Sequence, residues 1–321
     1  MISKAEQDKN YHSSYSIIFV VKPAGISGGF SIFMMMNKNI VPFLYFLSIC
    51  FLWTGCREKN VTLAKDISFE KEENIQYGSD SEQVMDLYIP HQQTSKKREA
   101  FIMIHGGGWR RGDKSQLTFF TLSMMQKFPD HIFANINYRL ATSTKNGIPN
   151  QTDDIEYAVR YLEKKLNYSP RLIVFGNSAG GHLSMMYAYH FDTQKRVKAV
   201  VNIVGPSDLS DPGFETFQDY SFVKNYLVDP KSVPAGMSAT TLASPVSWID
   251  SLSAPTLSYY GNRDRVIPLS QMKTLNAAFT QYKVLHNTYE FNGGHLDWDK
   301  APNDEFLIKK IEAFLKRIDK K

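Results

Sequence analysis

Short apolar runs recur along the chain at residues 100–104 (AFIMI), 132–136 (IFANI), 172–175 (LIVF), 197–204 (VKAVVNIV) and 256–260 (TLSYY). Segments of helical period separate them, a pattern that predicts a mostly parallel sheet covered by helices on both faces, an α/β fold. Two earlier runs, 67–77 and 84–89, have no helix-length segment between them and are expected to pair as an antiparallel hairpin. Near the end, Leu307, Ile311, Phe314, Leu315 and Ile318 make one apolar helical face, with Lys309, Lys310, Lys316 and Arg317 mostly off it. One stretch breaks the alternation. Residues 205–248 are rich in Ser, Asp, Pro and aromatics and are expected to form an inserted lid or substrate-shaping segment.

The first part of the chain follows a different pattern. Residues 40–53 carry no charge, follow Asn37-Lys38-Asn39 and end at Thr54-Gly55-Cys56. The run is short against the roughly twenty residues of a bilayer crossing, yet it fits the apolar region of a secretory signal. Gly55-Cys56 resembles the lipobox of bacterial lipoproteins, in which the cysteine is lipidated and becomes the mature N-terminus; Trp53 departs from the Leu usual at its position. The expectation is therefore an exported protein held in a bacterial cell envelope by lipid at Cys56, periplasmic or on the cell surface. Translation is expected to start at Met34, Met35 or Met36. The division that follows is an extension and leader over 1–56 and one domain over 57–321.

Composition narrows the chemistry. The chain is 43% apolar and 21% charged, ordinary for a folded protein and unlike disordered, collagenous or coiled-coil chains. Its formal charge of +5 is spread along the chain rather than gathered in a block, so nucleic acid is not a favoured partner. The two cysteines, Cys50 and Cys56, both lie in the leader. A disulfide framework, a zinc cluster and a cysteine nucleophile are thereby excluded from the main body. Clusters of His and carboxylates at ligand spacing are also lacking, so neither metal nor organic cofactor is expected.

After the strand at 172–175 comes Gly176-Asn177-Ser178-Ala179-Gly180, then a helical stretch. A G-x-S-x-G between strand and helix is the nucleophile elbow, a strained turn that lifts a serine hydroxyl above the sheet. The pattern also suits plain close packing of strand on helix. What favours the elbow is His105-Gly106-Gly107-Gly108-Trp109, directly after the strand at 100–104. Backbone N–H groups of Gly107 and Gly108, with that of Ala179, could converge on a developing oxyanion.

A serine nucleophile needs a base, and the base an orienting acid. Of the eight histidines, His295 alone sits in a Gly-rich loop between a strand-like segment, 288–291, and the terminal helix. His105 belongs to the glycine motif, where hydrogen bonds that hold the loop are its expected role; His182 lies in the helix after the serine. Asp264 follows the strand at 256–260 and would project from the carboxyl end of the sheet, where the serine also emerges. The order Ser178, Asp264, His295 is the one such a fold requires. Asp208, after the strand at 197–204, is a rival acid, and Asp297 and Asp299 stand too close to His295 along the chain.

Together these segments resemble the α/β-hydrolases, specifically the esterase/lipase group with an HGGGW loop that includes hormone-sensitive-lipase-like and bacterial feruloyl and acetyl esterase-like enzymes. The likeness runs from about residue 66 to the end. It includes Met85-Asp86-Leu87-Tyr88-Ile89-Pro90, Gly112-Asp113-Lys114, Asn137-Tyr138-Arg139-Leu140 and Ser178-Ala179-Gly180-Gly181-His182-Leu183. The resemblance implies a serine hydrolase with Ser178, Asp264 and His295 as its triad and Gly107, Gly108 and Ala179 as oxyanion donors. The Asp153-Asp154 pair also matches, and Asp153 with Glu156 reads as a capping box for a helix over 155–166. The 205–248 segment mixes Tyr220, Phe222 and Tyr226 with Asp208, Asp211 and Asp219, an amphipathic wall better suited to a sugar-borne or aromatic acyl group than to a long lipid chain. The expected substrates are short-acyl or aryl esters, small or glycan-borne. Amide cleavage of the arylformamidase or peptidase kind, and a non-catalytic binding protein, are the alternatives.

Overall fold

A computed structural model describes residues 59–92, 94–145 and 147–320. Cys56 and the rest of the leader lie outside the described residues.

The sheet is built from β1 (Lys59–Ala64), β2 (Ile67–Gln76), β3 (Val84–Pro90), β4 (Ala100–Ile104), β5 (Ile132–Ile136), β6 (Leu172–Asn177), β7 (Val197–Ile203), β8 (Thr256–Gly261) and β9 (His286–Phe291). Their spatial order is β1-β2-β3-β5-β4-β6-β7-β8-β9. From β5 to β9 all neighbours are parallel, whereas β1, β2 and β3 join antiparallel at one edge. The expected hairpin is β2–β3. A bulge in β2 between Glu72 and Ile75 places Asn74 in a left-handed conformation, with its N–H donated to Asp86 Oδ1 at 2.9 Å.

Alternation along the buried strands feeds two cores. Phe101, Met103, Phe133, Phe175 and Val201 face one side, where α1 (Thr118–Lys127) and α7 (Asn303–Ile318) contribute Phe120, Met124, Leu307, Ile311 and Phe314. Ile102, Ile104, Ala134 and Val174 face the other, against Ile155, Val159 and Leu162 of α2 (Asn150–Leu166) and Leu183 of α3 (Ala179–Met186). On that side a third cluster joins Met185 of α3 to Leu275 and Phe279 of α6 (Leu269–Gln281). At about 1.5–3 kcal/mol for each large apolar side chain fully buried, these cores fix the sheet rigidly beneath the loops at its carboxyl end.

One feature differs from expectation. The second helix starts at Asn150 rather than Ile155, so Asp153 lies in its first turn, Pro149 occupies the cap position, and no capping box forms. Its extra turn is polar yet buried, through Gln151, Thr152 and Asp154, and apolar periodicity could not reveal it. The 205–248 segment joins β7 to β8 through short helical pieces, among them α4 (Tyr220–Tyr226) and α5 (Ala239–Leu242).

Candidate active site

The loop after β6 carries Ser178 at φ 53° and ψ −122°, a region L-residues enter only when surroundings compel them. Ser178 N–H donates to the Ile203 carbonyl at 2.8 Å, and its own carbonyl accepts from His182 N–H at 3.0 Å. Close approach explains the flanking glycines: a Cβ on Gly176 would strike the Gly180 backbone, and one on Gly180 the Ile104 carbonyl. Strand and helix meet here with no room for side chains, and the turn between them thrusts Ser178 outward.

His295 Nε2 lies 2.9 Å from Ser178 Oγ, and His295 Nδ1 lies 2.8 Å from Asp264 Oδ2. A carboxylate only accepts, so the hydrogen sits on Nδ1 and donates to Asp264, which leaves Nε2 to accept from the serine hydroxyl. Asp264 is almost wholly buried, and its other oxygen accepts the N–H groups of Val266 and Ile267 at 2.7 and 2.9 Å. The loops that carry Asp264 and His295 are tied together by Arg263 N–H donated to the Gly293 carbonyl and Asn262 N–H donated to that of Phe291. Behind His295, Trp298 is buried against Phe120 and Phe175. The rivals lie elsewhere. Asp208 accepts from Ser210 N–H, and Asp297 accepts from Gly294 N–H and pairs with Lys300.

The glycine loop after β4 turns through Gly107 at φ 115°, where a Cβ would run into the Arg111 carbonyl. Gly106 N–H donates to Asn177 Oδ1 at 3.0 Å, which joins this loop to the residue before the serine. The N–H groups of Gly107, Gly108 and Ala179 meet no acceptor among the described residues. Trp109 is buried, and its carbonyl accepts from Ala141 N–H and from Gln151 Nε2 at 2.9 and 2.8 Å. His105 is buried and stacked on Tyr138 at 4.4 Å, with Nδ1 2.7 Å from the Gly106 carbonyl. Burial is the larger influence and pushes its imidazole below the ordinary value against that hydrogen bond.

Sequence motifs without an evident task form a buttress for this loop. Asp86 pairs with buried Lys114 at 2.9 Å. Asp113 accepts from Ser115 N–H and Asn137 Nδ2; although desolvation opposes it, these hydrogen bonds hold its carboxyl down at about 2. Tyr77 donates its hydroxyl to the Asn137 carbonyl. Arg139 makes a forked pair with Asp154 of α2, which also accepts from Gln83. Sequence reasoning missed Asn177 and Gln151, the residues that link the loop to the elbow and to α2. The signal available for Asn177 was its place beside the serine; for Gln151 there was none.

Ser178 and His295 open into a cleft of about 610 Å³ lined by the glycine loop, Gln116, Trp298, Asp299 and, from the 205–248 segment, Phe217, Gln218 and Asp219. The amphipathic wall expected of that segment is only partly in place. Of its six residues Asp219 alone lines the cleft; the Asp208 carboxylate accepts from Ser210 N–H and Ser244 Oγ, that of Asp211 from Ser270 and Gln271, and Tyr220 donates to the Leu209 carbonyl. Asp219 pairs with Arg111 at 3.2 Å at the rim. Among the described residues no cluster of three or more His, Cys, Asp or Glu could hold a metal ion, and no helix is long and apolar enough to cross a membrane.

With this geometry established, the decisive comparison is a family profile described as BD-FAE, which matches residues 85–279, more than half of the chain. The chain belongs to the BD-FAE family. Among curated relatives it is similar to Esterase LipC of Mycobacterium tuberculosis, 25% identical over 218 residues, 62% of this chain and 53% of that protein. It is also similar to arylacetamide deacetylase of Rattus norvegicus, 31% identical over 105 residues, 30% of this chain and 26% of the relative. Kynurenine formamidase avaC of Aspergillus versicolor is 32% identical over 122 residues, 34% of this chain and 43% of that protein. The matches thus span about half, or less, of these relatives' length. A truncated carbohydrate esterase from gut microbiota shares the fold at TM-score 0.59 and 21% identity, over 79% of this chain and 99% of that one. A bifunctional Bacteroides eggerthii GH43-CE protein does so at 0.59 and 22%, over 77% and 35%. The BD-FAE domain therefore has the α/β-hydrolase fold.

Proposed function

We propose that the protein is a serine esterase that cleaves short-acyl or aryl esters, carried on carbohydrate, through an acyl-enzyme. The observation that carries this reading is the unbroken relay from Asp264 through His295 to Ser178 above an elbow, beside three N–H groups with no acceptor among the described residues. Ser178 attacks the ester carbonyl while His295 Nε2 takes its proton; Asp264 fixes the ring's tautomer and stabilises its cationic form. Gly107, Gly108 and Ala179 donate to the oxyanion, each donor of this kind being worth about 10²–10³ in turnover. His295 returns the proton to the leaving alcohol, then activates the water that releases the acid.

The name of the gut-microbiota relative and the polar rim of the cleft support a carbohydrate-borne ester over a lipid. The name of the formamidase relative supports amide cleavage by the same machinery as a second reading. The leader supports export, with lipid at Cys56 as the anchor and the cell envelope as the place of action.

The reading is tested by release of acetate from acetylated xylan and of ferulate from feruloylated arabinoxylan, with the full-length chain and Ser178→Ala as the blank. Release of either acid by the wild type alone is expected. Cleavage of aryl formamides with no ester cleavage would favour the second reading, and ligand retention without turnover of any acyl compound would favour a binding protein.

A further inference from the structure

A second depression, of about 500 Å³, adjoins the serine cleft and shares Gln218 and Asp219 with it. It combines two kinds of surface. Tyr226 is 43% exposed, and its ring lies 5.9 Å from that of Phe222. Phe222 itself is covered by the Arg110 guanidinium, 4.2 Å from its centroid, so Tyr226 is the open platform. Around it stand polar groups. Arg110 lies 3.7 Å from Asp219, which sets donors beside an acceptor, and Ser143 and Ser221 add exposed hydroxyls.

That pairing fits one ligand chemistry. A pyranose has an apolar C–H face that stacks on an aromatic ring and a rim of hydroxyls that both donate and accept. A fatty acyl chain would desolvate the Arg110–Asp219 pair and cover two serine hydroxyls while offering no hydrogen bond in return. We propose that this depression is a glycan subsite, which holds a sugar unit beyond the one that bears the ester in the serine cleft. The inference rests on the proposed esterase reading for its alignment with Ser178, and it places Tyr226 as the stacking platform and Arg110 with Asp219 as the hydroxyl clamp.

Binding without turnover separates the two ideas. Full-length Ser178→Ala is titrated calorimetrically with xylotetraose and with mannotetraose, and wild-type cleavage of an aryl acetate is measured alongside. At least one tetrasaccharide is expected to bind. Adding Tyr226→Ala, or Ser143→Arg to fill the trough from its exposed rim, is expected to weaken binding about fivefold or more, the scale of a lost aromatic contact. Tyr282→Ala, which removes an exposed tyrosine just after α6 that does not line the trough, serves as the control and keeps the affinity. If neither sugar binds, or if the Tyr226 and Ser143 variants bind as tightly as their parent, the subsite is overturned even when ester cleavage persists. Wild type that binds sugar at Tyr226 but cleaves no ester would overturn the catalytic reading instead.

Discussion

Trp109 and His182 lock the glycine loop to the helix behind Ser178: the indole Nε1 donates to His182 Nδ1 at 3.1 Å, with the rings edge-on. His182 Nε2 must then carry the hydrogen, and it donates to the Ala243 carbonyl at 2.7 Å. One buried, neutral imidazole thereby joins the loop after β4, the helix after Ser178 and the 205–248 segment. The glycine loop and Ser178 keep their spacing because this joint leaves neither element free to shift.

The joint has a pH dependence. Burial is the larger influence on His182 and pushes its imidazole down to about 4, against the pull of the Ala243 carbonyl. Between that value and the ordinary 6.5 the unfolded chain binds a proton that the folded chain refuses, so stability rises with pH there and is lost as pH falls. One proton amounts to a slope of about 1.4 kcal/mol per pH unit. His105, likewise held below its ordinary value by burial, adds to the same window. Urea midpoints measured from pH 7 to 4.5 are expected to fall for the wild type, and His182→Gln is expected to remove about one proton from the slope. An identical slope in the variant would contradict this account of the joint.

Asp264 and Asp208 are told apart by what they touch. Asp264→Asn keeps the contacts to Val266 and Ile267 but inverts the donor pattern at His295, and turnover is expected to drop by a factor on the order of 10⁴ with the melting temperature nearly unchanged. Asp208→Asn is expected to leave turnover close to wild type. Steady-state kinetics on an aryl acetate decide the matter, and the reverse ranking would show that the acid is misassigned.

Asp154 is buried beneath Arg139 and Gln83 and does not line the cleft at Ser178. Its replacement by Ala strands a guanidinium that is one-quarter exposed, so water softens the loss, and a destabilisation of about 2–3 kcal/mol is expected. Equilibrium urea unfolding measures it; a change within experimental error would remove Asp154 from the buttress.

What the sequence disclosed followed physical lines. The buried strands were legible because β4 to β8 are continuous apolar runs, and the spacing of Ser178, Asp264 and His295 was legible because each sits in a Gly- or Asp-rich turn at a strand end. Elements stabilised by polar burial were not. Gln151, Thr152 and Asp154 look solvent-facing in a linear reading, yet they form the buried first turn of α2. β1 was equally hidden, an edge strand of sequence KNVTLA whose pairing with β2 no local signal announces. The 205–248 segment was read by composition, which cannot say which of its aromatics face the cleft, and Phe217 rather than Tyr220 does so.

The proposed anchor yields a separate prediction. Cys56→Ser in a bacterial host is expected to move the protein from the membrane fraction to the soluble fraction and to abolish metabolic labelling with palmitate. Sedimentation with membranes in both forms, with no label in either, would overturn lipidation at Cys56.

The most direct test of the central claim is covalent capture of the nucleophile. The full-length chain is treated with a fluorophosphonate, examined by intact mass and peptide mapping, and assayed on p-nitrophenyl acetate before and after. The account predicts one adduct per chain, on Ser178, with hydrolysis lost in step, and neither adduct nor hydrolysis in Ser178→Ala. Hydrolysis that persists in Ser178→Ala, or an adduct on another residue with Ser178 untouched, would contradict it.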